Sequence, residues 1–80
     1  MSKFLFQLLG QKGPLPVELE YNLATVEDAK RQARTALAEI ARDGLPEEPL
    51  NMLAVEVFDH ERRPIVELRL LLEEIPKQET

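Results

Sequence analysis

Cysteine is absent from this 80-residue chain, as is tryptophan, and there is one histidine. Without cysteine there is no disulfide framework, no thiolate zinc site and no thiol nucleophile. A chain of this length buries only about two-thirds of the surface its unfolded form exposes, so small domains lacking such staples often gain stability by self-association. The only serine is Ser2, in a terminus expected to be mobile, which leaves no Ser-His-Asp arrangement around His60. Long apolar runs are missing too. The stretch Phe4 to Leu9 is broken by Gln7, too short and too polar for a signal-peptide core, and nothing approaches the roughly 20 apolar residues that span a bilayer. The expectation is one domain over residues 1–80, cytoplasmic and away from membranes, with 75–80 a frayed tail. Positive charge is also scarce: 15 acidic against 10 basic residues leave a net charge of -5, which argues against binding a phosphate backbone.

What the chain does contain is one well-marked helix, from Thr25 to about Asp43. At roughly 100° per residue, Val26, Ala29, Ala33, Ala36, Leu37 and Ile40 fall on one arc, with the charged residues outside it. A single stripe of this kind covers one face of a sheet, and its alanines permit close approach. Thr25 is a good N-cap, and Glu27 and Asp28 put negative charge in the first turn, where the helix dipole favours it. Glu27 and Arg31 are spaced as an i,i+4 pair. Gly44 suits a left-handed position just past the last turn, and Pro46 prevents continuation.

Strand patterns lie on both sides of the helix. Lys3 to Leu9 alternates with Phe4, Phe6 and Leu8 on one face and Leu5, Gln7 and Leu9 on the other. A Gly- and Pro-rich loop leads to Val17–Tyr21, where Val17, Leu19 and Tyr21 point inward between two outward glutamates. Met52 to Asp59 alternates Leu53, Val55 and Val57 against Ala54, Glu56 and Phe58. After a polar turn, Pro64 to Ile75 reads as the last strand, with Val66, Leu68, Leu70 and Leu72 inward and Ile65, Glu67, Arg69 and Leu71 outward. The order is ββαββ, an α+β fold in which a four-stranded sheet carries one helix on one face. The first and last strands are apolar on both faces, which favours placing them centrally in the order two-one-four-three. The all-antiparallel order two-one-three-four is the alternative.

One helix shields one face. The other would carry Leu5, Leu9, Phe58, Ile65 and Leu71 among charged neighbours, a candidate contact surface for a second copy or another protein. Lys30, Arg31 and Arg34 cluster on the outer helix face; a solvated face with ion pairs explains them, docking of an acidic partner being the alternative.

Candidate chemistry is sparse. Asp59, His60 and Glu61 are ligand-type residues in a row, but adjacent turn residues do not converge on one ion, and an exposed hairpin turn explains them. Glu18 and Glu20 read as solubilising charges on a strand. Gly10 and Gly13 lie in a strand-to-strand loop with no helix following, unlike a phosphate-cradling loop. The expectation is a non-catalytic protein with no catalytic residue, no metal, no cofactor and no small-molecule substrate.

The chain resembles a family of small alpha-proteobacterial proteins known only as a domain of unknown function. The resemblance rests on the aromatic first strand Phe4-Leu5-Phe6 and the capped helix opening Leu23-Ala24-Thr25-Val26-Glu27-Asp28-Ala29-Lys30. It continues in Leu53-Ala54-Val55-Glu56-Val57 and the Pro-led Arg63-Pro64-Ile65-Val66. Where the family pattern usually has glycine before the Arg-Pro pair, this chain has Arg62. The resemblance implies no activity and no cofactor. A weaker similarity, through Leu45-Pro46-Glu47-Glu48-Pro49, is to antitoxins that block small RNA-cleaving toxins. The function expected is a self-associating, homodimeric or partner-binding module, with an antitoxin-like regulator as the alternative.

Overall fold

A computed structural model describes residues 1–10, 17–46 and 51–78. The elements are β1 (Ser2–Leu9), β2 (Val17–Leu23), α1 (Val26–Asp43), β3 (Met52–Phe58) and β4 (Pro64–Leu71). This is the ββαββ arrangement, with one antiparallel four-stranded sheet in the order β2-β1-β3-β4. The favoured order, with β4 beside β1, is therefore corrected: β3 is the second central strand and β4 is an edge. Burial supplies the reason. Leu53, Ala54, Val55 and Val57 of β3 are all buried, so both of its faces are covered, whereas β4 has no fully buried residue.

One face of the sheet packs on α1. Phe4, Phe6 and Leu8 of β1 and Leu53, Val55 and Val57 of β3 meet Ala29, Ala33, Ala36 and Leu37, with Tyr21, Leu23, Ile40 and Ala41 closing the margins. The alanines let the helix backbone approach β3 closely, while the larger Phe4 and Phe6 fill the space over β1. The Phe6 and Tyr21 rings add a tilted contact with centroids 4.7 Å apart. Val26 departs from the expected stripe, being exposed in the first turn, while Ala41 joins the margin in its place. Val17 and Leu19 are also exposed, because β2 is an edge strand and only its Tyr21–Leu23 end packs against the core.

Thr25 caps α1 as expected: its hydroxyl accepts from the Asp28 N–H at 3.1 Å. In the first turns, however, Lys30 pairs with Glu27 at 3.2 Å and Arg31 with Asp28 at 3.1 Å, so the expected Glu27–Arg31 pair is replaced by two i,i+3 pairs. Gly44 is corrected as well. Its φ of 164° is ordinary extended backbone rather than left-handed, while its N–H still closes on the Ile40 carbonyl at 3.2 Å. Gly10, by contrast, is a position where the fold requires glycine. Its φ is +89°, and a Cβ there would lie 2.3 Å from the Met52 carbonyl oxygen.

β4 stops at Leu71 rather than running on to Ile75. Among the described residues the last ladder bond is the Leu72 N–H to the Asn51 carbonyl at 2.8 Å. Residues 72–78 are exposed and outside any strand, and 79–80 of the expected tail lie outside the described residues. So do Gly13 and the rest of the 11–16 loop, and positions 47–49 of the Leu-Pro-Glu segment.

Candidate interaction surface

Alternation and register together fix what lies on the sheet face away from α1. Leu5 of β1 stands between Glu20 of β2 and Phe58 of β3; Gln7 stands between Glu18 and Glu56; Leu9 pairs with Ala54, and Ala54 with Arg69. Apolar and charged rows thus run crosswise. The face is less bare than one helix on a sheet implies, since Leu5 is 5% and Ala54 0% exposed although neither belongs to the helix-side core.

Ion pairs cross the same face. Arg62, in the β3–β4 turn, reaches Glu18 of β2 at 3.1 Å. β1 and the end of β3 lie between them, so this pair spans the face beside Leu5. Lys3 and Glu20 make a second pair at 3.4 Å along the same edge. Exposed pairs of this kind contribute little to stability, about 0–1 kcal/mol each, but their aliphatic stems shield apolar surface.

The turn that positions Arg62 is organised by Asp59. Its Oδ1 accepts from the backbone N–H of Glu61 at 2.8 Å and of Arg63 at 2.9 Å, and its Oδ2 accepts from Arg63 Nε at 2.8 Å. The backbone hydrogen bond from Arg63 is the main influence holding the Asp59 carboxyl below the usual carboxylate range, partly opposed by desolvation and helped by the Arg63 side chain and the Glu61 N–H. Arg62 has φ 63°, the left-handed region, at the position where the family pattern usually has glycine. His60 lies 3.5 Å from Glu61 and is exposed, as a hairpin-turn residue would be. Among the described residues no group of three or more His, Cys, Asp or Glu side chains is arranged to hold a metal ion.

The residues expected to form a contact surface do not come together as one patch. Leu5 is buried, Leu9 and Phe58 are half-buried, and Leu71 is openly exposed. Ile65 is displaced from its expected place: a bulge between Val57 and Phe58 breaks the β3–β4 alternation, and Ile65 packs against the helix-side core. Lys30, Arg31 and Arg34 lie on the solvent side of α1, the first two tied to Glu27 and Asp28.

The open apolar surface lies instead at the end of the β4 edge. Leu70 is 40% exposed, Leu71 58%, Leu72 37% and Ile75 64%. Leu70 and Leu71 on this edge strand, with Leu72 just past it, put apolar side chains on both faces beside a row of backbone groups that no strand pairs with among the described residues, the arrangement that edge strands normally avoid. The sequence held this clue in Leu70-Leu71-Leu72, but read with β4 in the centre of the sheet it described a buried strand.

No helix among the described residues is long and apolar enough to cross a membrane. Residues 3–71 match the family described as a domain of unknown function, DUF6894, and the chain belongs to that family. No curated protein and no solved structure matches the chain.

Proposed function

We propose that this DUF6894 protein is a protein-binding module, without chemistry of its own, that works as a homodimer. The observation that carries this reading is the leucine-rich free edge of β4, with Leu70, Leu71 and Leu72 all exposed at the end of the strand. Burying such an edge against another chain gains apolar contact on both faces and satisfies backbone groups that otherwise depend on water. The small core agrees with it, since one helix on a four-stranded sheet has little apolar area to spare.

Sedimentation velocity or light scattering at micromolar concentration tests the reading. The wild type is expected to run at twice its chain mass. Leu71→Glu places a carboxylate in the buried apolar contact and is expected to shift the population toward monomer with an unchanged circular dichroism spectrum. A wild type that stays monomeric over the whole accessible concentration range contradicts the reading.

A further inference from the structure

We infer that two copies join through β4 itself, antiparallel and centred on Leu68, so that their sheets form one continuous sheet with both helices on the same side. The inference rests on the self-association proposed above and specifies its edge, register and determinants.

Backbone direction sets which registers exist. The Leu72 N–H points toward β3, where it meets the Asn51 carbonyl at 2.8 Å. In an antiparallel ladder, alternate residues turn their N–H and C=O to opposite sides. Leu70 and Leu68 therefore also face β3, and Leu71, Arg69 and Glu67 present their backbone groups to the free edge. Two-fold axes at Glu67, at Leu68, at Arg69 or at Leu70 keep most of the strand paired; an axis at Leu71 sets Arg69 against Glu73, which lies outside the strand. An axis at Glu67 sets Glu67 against its own copy, and one at Arg69 sets Arg69 against its own copy. An axis at Leu70 sets Arg69 against Leu71 and leaves Glu67 opposite Glu73. Only the axis at Leu68 places Glu67 directly across from Arg69, and does so twice.

The same register is consistent from Val66 to Leu70, the stretch between the Ile65 bulge and the end of the strand. Leu68 meets its own copy, and Val66 meets Leu70 on the helix side, extending the core across the junction and covering the exposed Leu70. The Glu67–Arg69 contact already made within each strand becomes part of an alternating group of four charges. The opposite edge offers no such match. β2 carries Glu18 and Glu20, and an antiparallel two-fold pairing about Leu19 sets those glutamates against each other.

Charge reversal with mixing is the test. Glu67→Arg alone sets the introduced guanidinium against Arg69 at both junctions, and Arg69→Glu alone opposes glutamate to glutamate. Each variant is expected to dimerise about tenfold more weakly than wild type, or worse, since two cross-strand pairs turn from attraction to repulsion. An equimolar mixture of the two is expected to recover dimer, because in the heterodimer every junction is again opposite in sign. Loss of the pair within each strand is not repaired by mixing, so recovery reports pairing between chains. Single variants that dimerise like wild type, or a mixture that fails to recover, overturn the β4 register while leaving self-association through another surface intact. A monomeric wild type overturns both.

If either variant fails to fold, the absence of native cysteine allows a second approach. Leu68→Cys places two thiols at a non-hydrogen-bonded pair with Cα atoms about 4.5 Å apart, within disulfide range, whereas Glu67→Cys does not face its own copy. Under glutathione buffering the first is expected to cross-link readily and the second poorly. Equal cross-linking overturns the register.

Discussion

Gly10 and Gly44 invite the same substitution with opposite expected results. At Gly10 alanine meets two penalties. Its φ of +89° lies where an L-residue is strained, costing about 1–2 kcal/mol. Its Cβ would also stand 2.3 Å from the Met52 carbonyl oxygen and 3.2 Å from the Leu53 Cα, both backbone atoms of β3 that cannot rotate away. Moving them disturbs the Leu9–Ala54 end of the β1–β3 ladder. Set against a gain of about 0.4–1 kcal/mol from a stiffer unfolded chain, Gly10→Ala is expected to cost roughly 2–4 kcal/mol. At Gly44 the backbone is extended and nothing lies within 4 Å of the added methyl, so only the unfolded-chain term remains. Gly44→Ala is expected to be neutral or to stabilise by about 0.4–1 kcal/mol. Urea titration of both variants and wild type at one protein concentration measures the contrast, since a dimer's midpoint depends on concentration. Equal losses at the two positions would refute the reasoning, by showing that Gly44 is held left-handed after all. A neutral Gly10→Ala would refute it at the β1–β3 junction.

Thr25→Ala is expected to cost about 0.5–2 kcal/mol by denaturant titration, because the Asp28 N–H loses its acceptor. Ala33, with no exposed surface beneath α1, should resist leucine at a cost of about 1–3 kcal/mol, while the exposed Ala38 accepts it with little change in midpoint. Asp59 links the β3–β4 turn to pH. Its carboxyl is held below the usual range in the fold, so its stabilisation is complete above the ordinary carboxylate value of about 3.8 and is lost as pH falls through the lower folded value. The difference in Tm between wild type and Asp59→Asn should therefore be largest near neutrality and shrink in acid; a difference independent of pH would argue against the turn's dependence on the carboxylate.

The helix was legible because its determinants are local: a capping hydroxyl at Thr25, acidic residues behind it and alanines at three- and four-residue spacing. Strand identity and the helix-side faces of β1 and β3 were equally local, set by period-two alternation. Strand order was not. Apolar residues on both faces of a strand signify a buried position in one setting and an exposed edge in another, and β4 was the second kind. The better indicator of a central strand was Ala54, a small residue facing away from the helix with room only for close neighbours. The Ile65 bulge and the extended Gly44 depend on where β4 and β3 have to arrive, which neighbouring residues do not encode. For the same reason the candidate surface moved from the broad back face, where Leu5 is buried, to the end of β4, with Leu71 common to both.

Amide hydrogen exchange along β4 tests the central claim most directly. In an isolated chain the Leu68 and Leu70 N–H groups, turned toward β3, are protected, and those of Glu67, Arg69 and Leu71, turned to the free edge, are not. Pairing through β4 predicts that Glu67, Arg69 and Leu71 gain protection as protein concentration rises through the dimerisation range, while the outward amides of β2 continue to exchange freely. If the β4 edge amides exchange at unprotected rates at every concentration, the claim that two copies meet along this strand is wrong.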